Sequence, residues 1–110
     1  MSYPSESTVG SLPIDLQVFL GDVVLELGRA KELFPRWPTD PLHALAVLSE
    51  EHGELTKAIL QLMYEPEKSG RKNVRAELVQ TAAMCLRMAL SLDNHHYDFS
   101  AGLQHAQRGL

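Results

Sequence analysis

Cysteine and aromatic residues are scarce in this sequence of 110 residues: there is one cysteine, Cys85, and aromatic residues make up 6%. A single cysteine excludes an internal disulfide, and it argues against a zinc site built on several cysteines. Because Cys85 lies in a strongly apolar run, we expect a buried core thiol in a protein of the reducing cytoplasm.

Long hydrophobic runs and an excess of positive charge are also missing. No segment approaches the roughly 18–20 apolar residues that span a bilayer, and residues 1–13 lack the basic start and apolar core of a signal peptide. The formal net charge is -4, whereas a protein that binds a nucleic-acid backbone needs a surplus of Lys and Arg. We therefore expect a soluble cytoplasmic protein that binds neither membrane nor nucleic acid. A single nucleotide remains a candidate ligand, because a metal ion can bridge its phosphates to acidic side chains.

The pattern that is present is that of an all-α helical bundle. The composition, 45% hydrophobic and 22% charged, is that of an ordinary globular domain. Apolar residues recur at helical spacing over residues 13–34, 41–64 and 72–92, which predicts three main helices. Asp40 and Pro41 give the second helix an N-cap and a proline at its first position.

These segments predict three parts of the chain. Residues 1–13 are expected to form a disordered arm, residues 14–93 the helical domain, and residues 94–110 a tail. A short helix in the tail, packed against the body, is predicted from three apolar residues: Phe99, Leu103 and Ala106.

The third helix is too apolar for a monomer of three helices. A helix that is apolar nearly all round is normally buried nearly all round, and a domain of this size offers too little surface to cover it. We therefore expect a homo-oligomer, a dimer or a dimer of dimers, in which a second chain completes a four-helix core. The residues that cover more than half of the helix surface are Leu78, Val79, Ala82, Cys85, Leu86, Ala89, Leu90 and Leu92.

Acidic residues cluster on the second and third helices. Glu54 follows Glu50 by four residues and Glu51 by three, so its side chain neighbours both of theirs on one helix. We expect Glu77 of the third helix to join them. Taken alone, this pattern also fits a solvated acidic face. If the four carboxylates converge, however, their repulsion must be relieved by protonation or by a cation, and oxygen ligands of this kind suit Mg²⁺.

The stretch ALAVLSEEHGELTKAI, followed after a turn by RAELVQTAAMCLRMAL, resembles the MazG-like nucleoside triphosphate pyrophosphohydrolases. Their pattern is E-E-x-x-E on one helix and E-x-x-D on the next, and the resemblance covers roughly residues 14–93. Dimeric dUTPases and phosphoribosyl-ATP pyrophosphatases share this helical architecture. The resemblance implies Mg²⁺-dependent hydrolysis (Mn²⁺ as a substitute) between the α and β phosphates of a nucleoside triphosphate, with the metal held by Glu50, Glu51, Glu54 and Glu77. The physiological role that it implies is house-cleaning of the nucleotide pool.

The chain departs from that pattern at Gln80, where the family has aspartate. A glutamine oxygen can ligate a metal or position a water, but it carries no charge and cannot act as a base. Glu50 or Glu51 is therefore the expected base for the attacking water. The alternative function is a nucleotide-binding or dimerisation module of the same fold that has lost catalysis.

Basic and aromatic residues near the acidic cluster are candidate substrate contacts. Lys57 is a candidate phosphate ligand or the partner of Glu54 in a surface ion pair. Further phosphate candidates, whose alternative is a plain surface role, are Lys72 and Arg75. Candidates for the base pocket are Phe34, Trp37, His43 and Asn73, although Trp37 in a proline-rich corner also fits a packing anchor and Asn73 a solvent-facing role.

Overall fold

The computed structural model describes residues 10–100, which form three α-helices and no strand. Helix α1 spans Ile14–Leu33, α2 spans Pro41–Tyr64 and α3 spans Arg71–Asp93. Each predicted helix agrees with the structure to within one residue at both ends, so the all-α class and the three helices are confirmed. Most of the predicted arm, and the tail residues Leu103 and Ala106, lie outside the described residues.

The helix starts follow from local chemistry. The Asp40 side chain accepts a hydrogen bond of 2.9 Å from the backbone N–H of Leu42, and Pro41 fills the first helical position as predicted. Such a cap contributes about 1 kcal/mol. Before α3, the Asn73 side-chain oxygen accepts a 2.9 Å hydrogen bond from the backbone N–H of Gly70. In both contacts a side-chain oxygen accepts a hydrogen bond from a backbone N–H at the start of a helix, where N–H groups lack partners within the helix.

Helix α3 is the centre of the fold. Helices α1 and α2 each pack along it and make little contact with each other, which leaves a gap between them. The buried core joins α1 to α3 and consists of Val23, Leu27, Ala30, Val79, Ala83 and Met84. The apolar residues in the middle of α1 are thus buried, whereas three at the ends of the same pattern are exposed: Leu16, Leu20 and Phe34.

The prediction that Cys85 is a buried core thiol is wrong for this chain, because its side chain is exposed. The reason is the direction in which α3 faces. The helix turns Val79, Ala83, Met84 and Arg87 inward, and Cys85 lies on the opposite side.

The outward side of α3 is apolar. Four leucines on it are between 38% and 54% exposed: Leu78, Leu86, Leu90 and Leu92. The helix therefore buries the charged side chain of Arg87 on its inward side, while much of its apolar surface faces outward. Among the described residues, no helix is both long enough and apolar enough to cross a membrane.

Candidate functional site

A cleft of about 420 Å³ lies in the gap between α1 and α2, with α3 as its floor. The first wall is the end of α1 and the segment after it, and the second is the first half of α2. Three side chains of α3, spaced three and four residues apart, form the floor: Gln80, Met84 and Arg87. The walls contribute Glu26, Arg29, Phe34, Arg36, Trp37, His43, Glu50 and Glu51, among others.

The cleft brings together residues that are far apart in the sequence. Glu50 and Glu51, the predicted catalytic pair, line it together with Gln80. Three of the four predicted base-binding residues line the same cleft: Phe34, Trp37 and His43. The cavity therefore combines carboxylates with aromatic rings, and small-molecule sites commonly combine apolar surface with a few polar groups in this way.

Glu51 is the electrostatic centre of the acidic residues. Burial raises the pKa of its carboxyl group above the ordinary value, and the negative charge of Glu77 is the next contribution. Smaller contributions that raise this pKa come from Glu26, Glu54 and Glu50. Each of these carboxylates is therefore close enough to make ionisation of Glu51 unfavourable.

Thr81 links the backbone of α2 at Glu51 to the backbone of α3 at Glu77. Its hydroxyl lies 2.7 Å from the carbonyl oxygen of Glu77 and 3.4 Å from that of Glu51. The Oε2 atom of Glu77 is buried and has no hydrogen-bond partner within residues 10–100. A buried carboxylate oxygen without a donor is costly, and a cation is one way to satisfy it.

The donor set of this region consists of carboxylate and amide oxygens, which suits a hard divalent cation such as Mg²⁺. Within residues 10–100, however, no three His, Cys, Asp or Glu side chains are arranged closely enough to hold a metal ion as they stand. Glu54 and Glu77 also lie outside the lining of the cleft. The glutamates therefore interact through their charges around Glu51 without forming a closed ligand shell.

The predicted phosphate ligands do not line the cleft. Arg75 forms a 2.8 Å salt bridge with Asp22 and lies over the Phe19 ring, 5.4 Å from its centroid. Lys57 and Lys72 are exposed, and within the described part of the chain no ion pair joins Lys57 to Glu54. The role of these three residues in phosphate binding stays a prediction.

Asn73, the fourth candidate for the base pocket, also lies outside the cleft lining. Its side-chain oxygen is engaged with Gly70 at the start of α3. The structure thus gives it a capping role, which differs from both a base contact and a purely solvent-facing side chain.

Sequence reasoning missed the charged residues that α1 brings to the cleft. The Arg29 guanidinium donates to both carboxylate oxygens of Glu26, at 2.6 and 2.8 Å. Glu26 lies between the buried apolar residues Val23 and Leu27 on the helix. Its position beside them in the sequence is the pattern from which its orientation toward α3 could have been predicted.

Arg87 is the second residue that was missed. It is only 5% exposed, and its guanidinium lies over the Trp37 ring, 4.7 Å from the centroid. It donates hydrogen bonds to the carbonyl oxygens of Phe34 at 2.6 Å and Ala30 at 3.5 Å. Burial lowers the pKa of Arg87 below its ordinary value, since its charge has lost water and no carboxylate of the described residues pairs with it.

Trp37 is held from several sides. Its indole N–H donates to the Tyr97 hydroxyl at 2.8 Å, and its carbonyl oxygen lies 2.9 Å from Nε2 of His96. With Arg87 on one face of the ring, Trp37 is a packing anchor that also lines the cleft. Phe34 is 68% exposed, so its ring is the freer of the two aromatic surfaces.

No family model, curated protein or solved structure gives a significant match to this chain.

Proposed function

We propose that this protein is a Mg²⁺-dependent nucleoside triphosphate pyrophosphohydrolase of the MazG-like family, which converts a nucleoside triphosphate to the monophosphate and pyrophosphate. The observation that carries the proposal is the meeting of Glu51 with Glu77 beside the α1–α2 cleft. The carboxyl group of Glu51 has a raised pKa, and Glu77 has a buried oxygen with no hydrogen-bond partner among the described residues. A divalent cation relieves both conditions at once.

The residues that would hold the ion are Glu51 and Glu77, with Glu50 and Glu54 completing the acidic set. A bound Mg²⁺ supplies charge neutralisation for the phosphates and for the leaving pyrophosphate. Glu50 or Glu51 would then accept the proton of the attacking water.

The base of the nucleotide occupies the other end of the cleft in this proposal. Phe34, Trp37 and His43 line that cavity together with the two catalytic glutamates. The sugar and base would lie along the floor from Gln80 to Arg87, which are seven residues apart and therefore separated by about 10 Å along the helix axis.

The same protein is proposed to act as a homo-oligomer. The outward leucines of α3 are between 38% and 54% exposed, and isolated chains rarely leave so apolar a helix face in water. A second copy packed on this face would give the four-helix core that the sequence predicts.

A binding protein without turnover is the second candidate. Gln80 favours it, because an uncharged amide lines the cleft beside Glu50 and Glu51 at the position where the family pattern has aspartate. Thermal stabilisation by Mg²⁺ and nucleotide without pyrophosphate release would support this candidate.

The test is to incubate the purified protein with each common NTP and dNTP plus Mg²⁺ and to measure pyrophosphate. Glu51→Gln and Glu54→Gln should each abolish release if the glutamates act as proposed. Glu67→Gln is the matched control, because Glu67 is an exposed glutamate in the turn between α2 and α3. Pyrophosphate release by all variants alike would assign the activity to a contaminant and contradict the proposal.

A further inference from the structure

Arg87 has hydrogen-bonding capacity that the protein does not use. A guanidinium carries five N–H groups, and two hydrogen bonds are made, to Phe34 and Ala30. Roughly three N–H groups thus have no acceptor in the part of the chain that the structure describes. For a side chain that is only 5% exposed, this is an unusual surplus of donors.

The charge of Arg87 is also uncompensated. In residues 10–100, salt bridges form at Arg29, Lys68 and Arg75, and none involves Arg87. The indole face of Trp37 and the two carbonyl oxygens stabilise the cation only in part. A ligand that brings a hydrogen-bond acceptor into the cleft would complete its surroundings.

The position of Arg87 identifies which part of a nucleotide it meets. Glu77 and Arg87 are ten residues apart on α3, about 15 Å along the helix axis, and both lie on its inward side. If the phosphates lie near Glu51 and Glu77, the edge of the base farthest from the sugar points toward Arg87. That edge carries a keto oxygen in uracil, thymine and guanine, and an amino group in cytosine and adenine.

We propose that Arg87 is a specificity-determining residue, which selects nucleotides with a keto oxygen at this edge over those with an amino group. An arginine has donors only. A keto oxygen accepts from it, whereas an amino group places donor against donor and leaves both without a partner in a desolvated site. This inference rests on the proposed function for the direction in which the nucleotide lies.

Two substrate pairs test the selection. Inosine and adenine nucleotides differ at position 6 of the base, and uracil and cytosine nucleotides at position 4. We expect kcat/KM for dITP to exceed that for dATP by about 10- to 100-fold, which is the range expected for one hydrogen bond to a charged group. We also expect kcat/KM for dUTP to exceed that for dCTP. Equal values, or higher values for the amino bases, would overturn the inference.

Arg87→Met removes the donors and keeps an unbranched side chain of similar reach. The ratio of kcat/KM for dITP and dATP should fall to near one in this variant. Arg71→Met, an exposed arginine at the start of the same helix and outside the cleft, should keep the wild-type ratio. If Arg87→Met does not fold, as judged by circular dichroism, the two wild-type ratios still test the inference, because a ratio of one or below overturns it.

Binding measurements separate this inference from the proposed activity. Calorimetry with dIMP and dAMP, without turnover, should show the tighter binding of dIMP to the wild-type protein. If dIMP binds more tightly than dAMP but no triphosphate releases pyrophosphate, the inference about Arg87 stands and the proposed enzymatic activity is rejected. Release without keto preference keeps the enzyme and rejects the inference, and no binding of any nucleotide rejects both.

Discussion

The indole N–H of Trp37 donates a 2.8 Å hydrogen bond to the hydroxyl oxygen of Tyr97, a residue 60 positions later in the chain. This contact ties the segment that follows α3 to the corner between α1 and α2. The backbone N–H of Asp98 also donates to the carbonyl oxygen of Thr39 at 2.8 Å. One wall of the cleft therefore depends on residues beyond the last helix.

A double-mutant cycle measures this tie. Trp37→Phe and Tyr97→Phe each remove one partner of the hydrogen bond, and the coupling energy from urea unfolding of the single and double variants should be about 0.5–1.5 kcal/mol. Tyr64→Phe, an exposed tyrosine at the end of α2, is the control for loss of a hydroxyl. Additive effects of Trp37→Phe and Tyr97→Phe would show that the contact does not contribute to stability.

The raised pKa of Glu51 predicts a pH-dependent stability. Below the ordinary glutamate value of 4.5, the carboxyl is protonated in both the folded and the unfolded chain. Between that value and the raised pKa, the Glu51 carboxyl ionises in the unfolded chain while it stays protonated in the folded chain. The free energy of unfolding therefore falls as the pH rises through this interval.

Glu51→Gln should therefore raise the metal-free Tm at pH 7, and the gain should shrink as the pH falls toward 4.5. Thermal unfolding with EDTA across that pH range measures it. A second arm adds Mg²⁺, which we expect to stabilise the wild type more than the variant. A variant that is less stable than the wild type at pH 7 would contradict the repulsion that Glu51 is inferred to experience.

His95 follows the end of α3 in a strained backbone conformation. Its φ is 55°, in the left-handed region that favours glycine. The backbone N–H of His96 donates to the carbonyl oxygen of Ser91 at 2.9 Å, and that of His95 to Leu92 at 3.2 Å, the pattern of a Schellman motif.

His95→Gly should stabilise the protein by up to about 1 kcal/mol, because glycine adopts this conformation without a Cβ clash. Guanidinium unfolding gives the difference, and His95→Ala, which keeps the Cβ, should bring no such gain. Equal stability of the glycine and alanine variants would mean that the conformation imposes no strain.

The outward leucines of α3 predict self-association. Leu90 is 43% exposed, and Leu90→Glu places a charge on the face where we expect a second copy. Size-exclusion chromatography with light scattering should show an oligomer for the wild type and a smaller species for the variant, with helix content unchanged by circular dichroism.

The same charge on α1 is the comparison. Leu25 is 74% exposed, and Leu25→Glu should leave the oligomer intact if α3 carries the interface. Dissociation by Leu25→Glu alone would move the interface to α1, and a monomeric wild type would reject self-association.

Local signals in the sequence determined the helices. Helical spacing of apolar residues, the Asp40–Pro41 start and the prolines between helices act over a few residues, so their positions follow from the sequence within one residue. Residues that the sequence predicts as catalytic, Glu50 and Glu51, line one cleft with three that it predicts to bind a base: Phe34, Trp37 and His43. Their roles stay predictions.

Only the tertiary structure decided which way each helix faces. The sequence of α3 has a wide apolar surface, which we expect a second chain to help cover, but it does not show which side of the helix faces α1 and α2. Within one chain, the fold buries Arg87 and partly buries Gln80, while Cys85 and Leu90 face outward. The rotation of a helix is set by its neighbours, because a long apolar surface can be covered by another element of the chain or by another chain. The pairing of Arg87 with Trp37, and the meeting of Glu26 with Glu51, arise from that packing and have no counterpart in the local sequence.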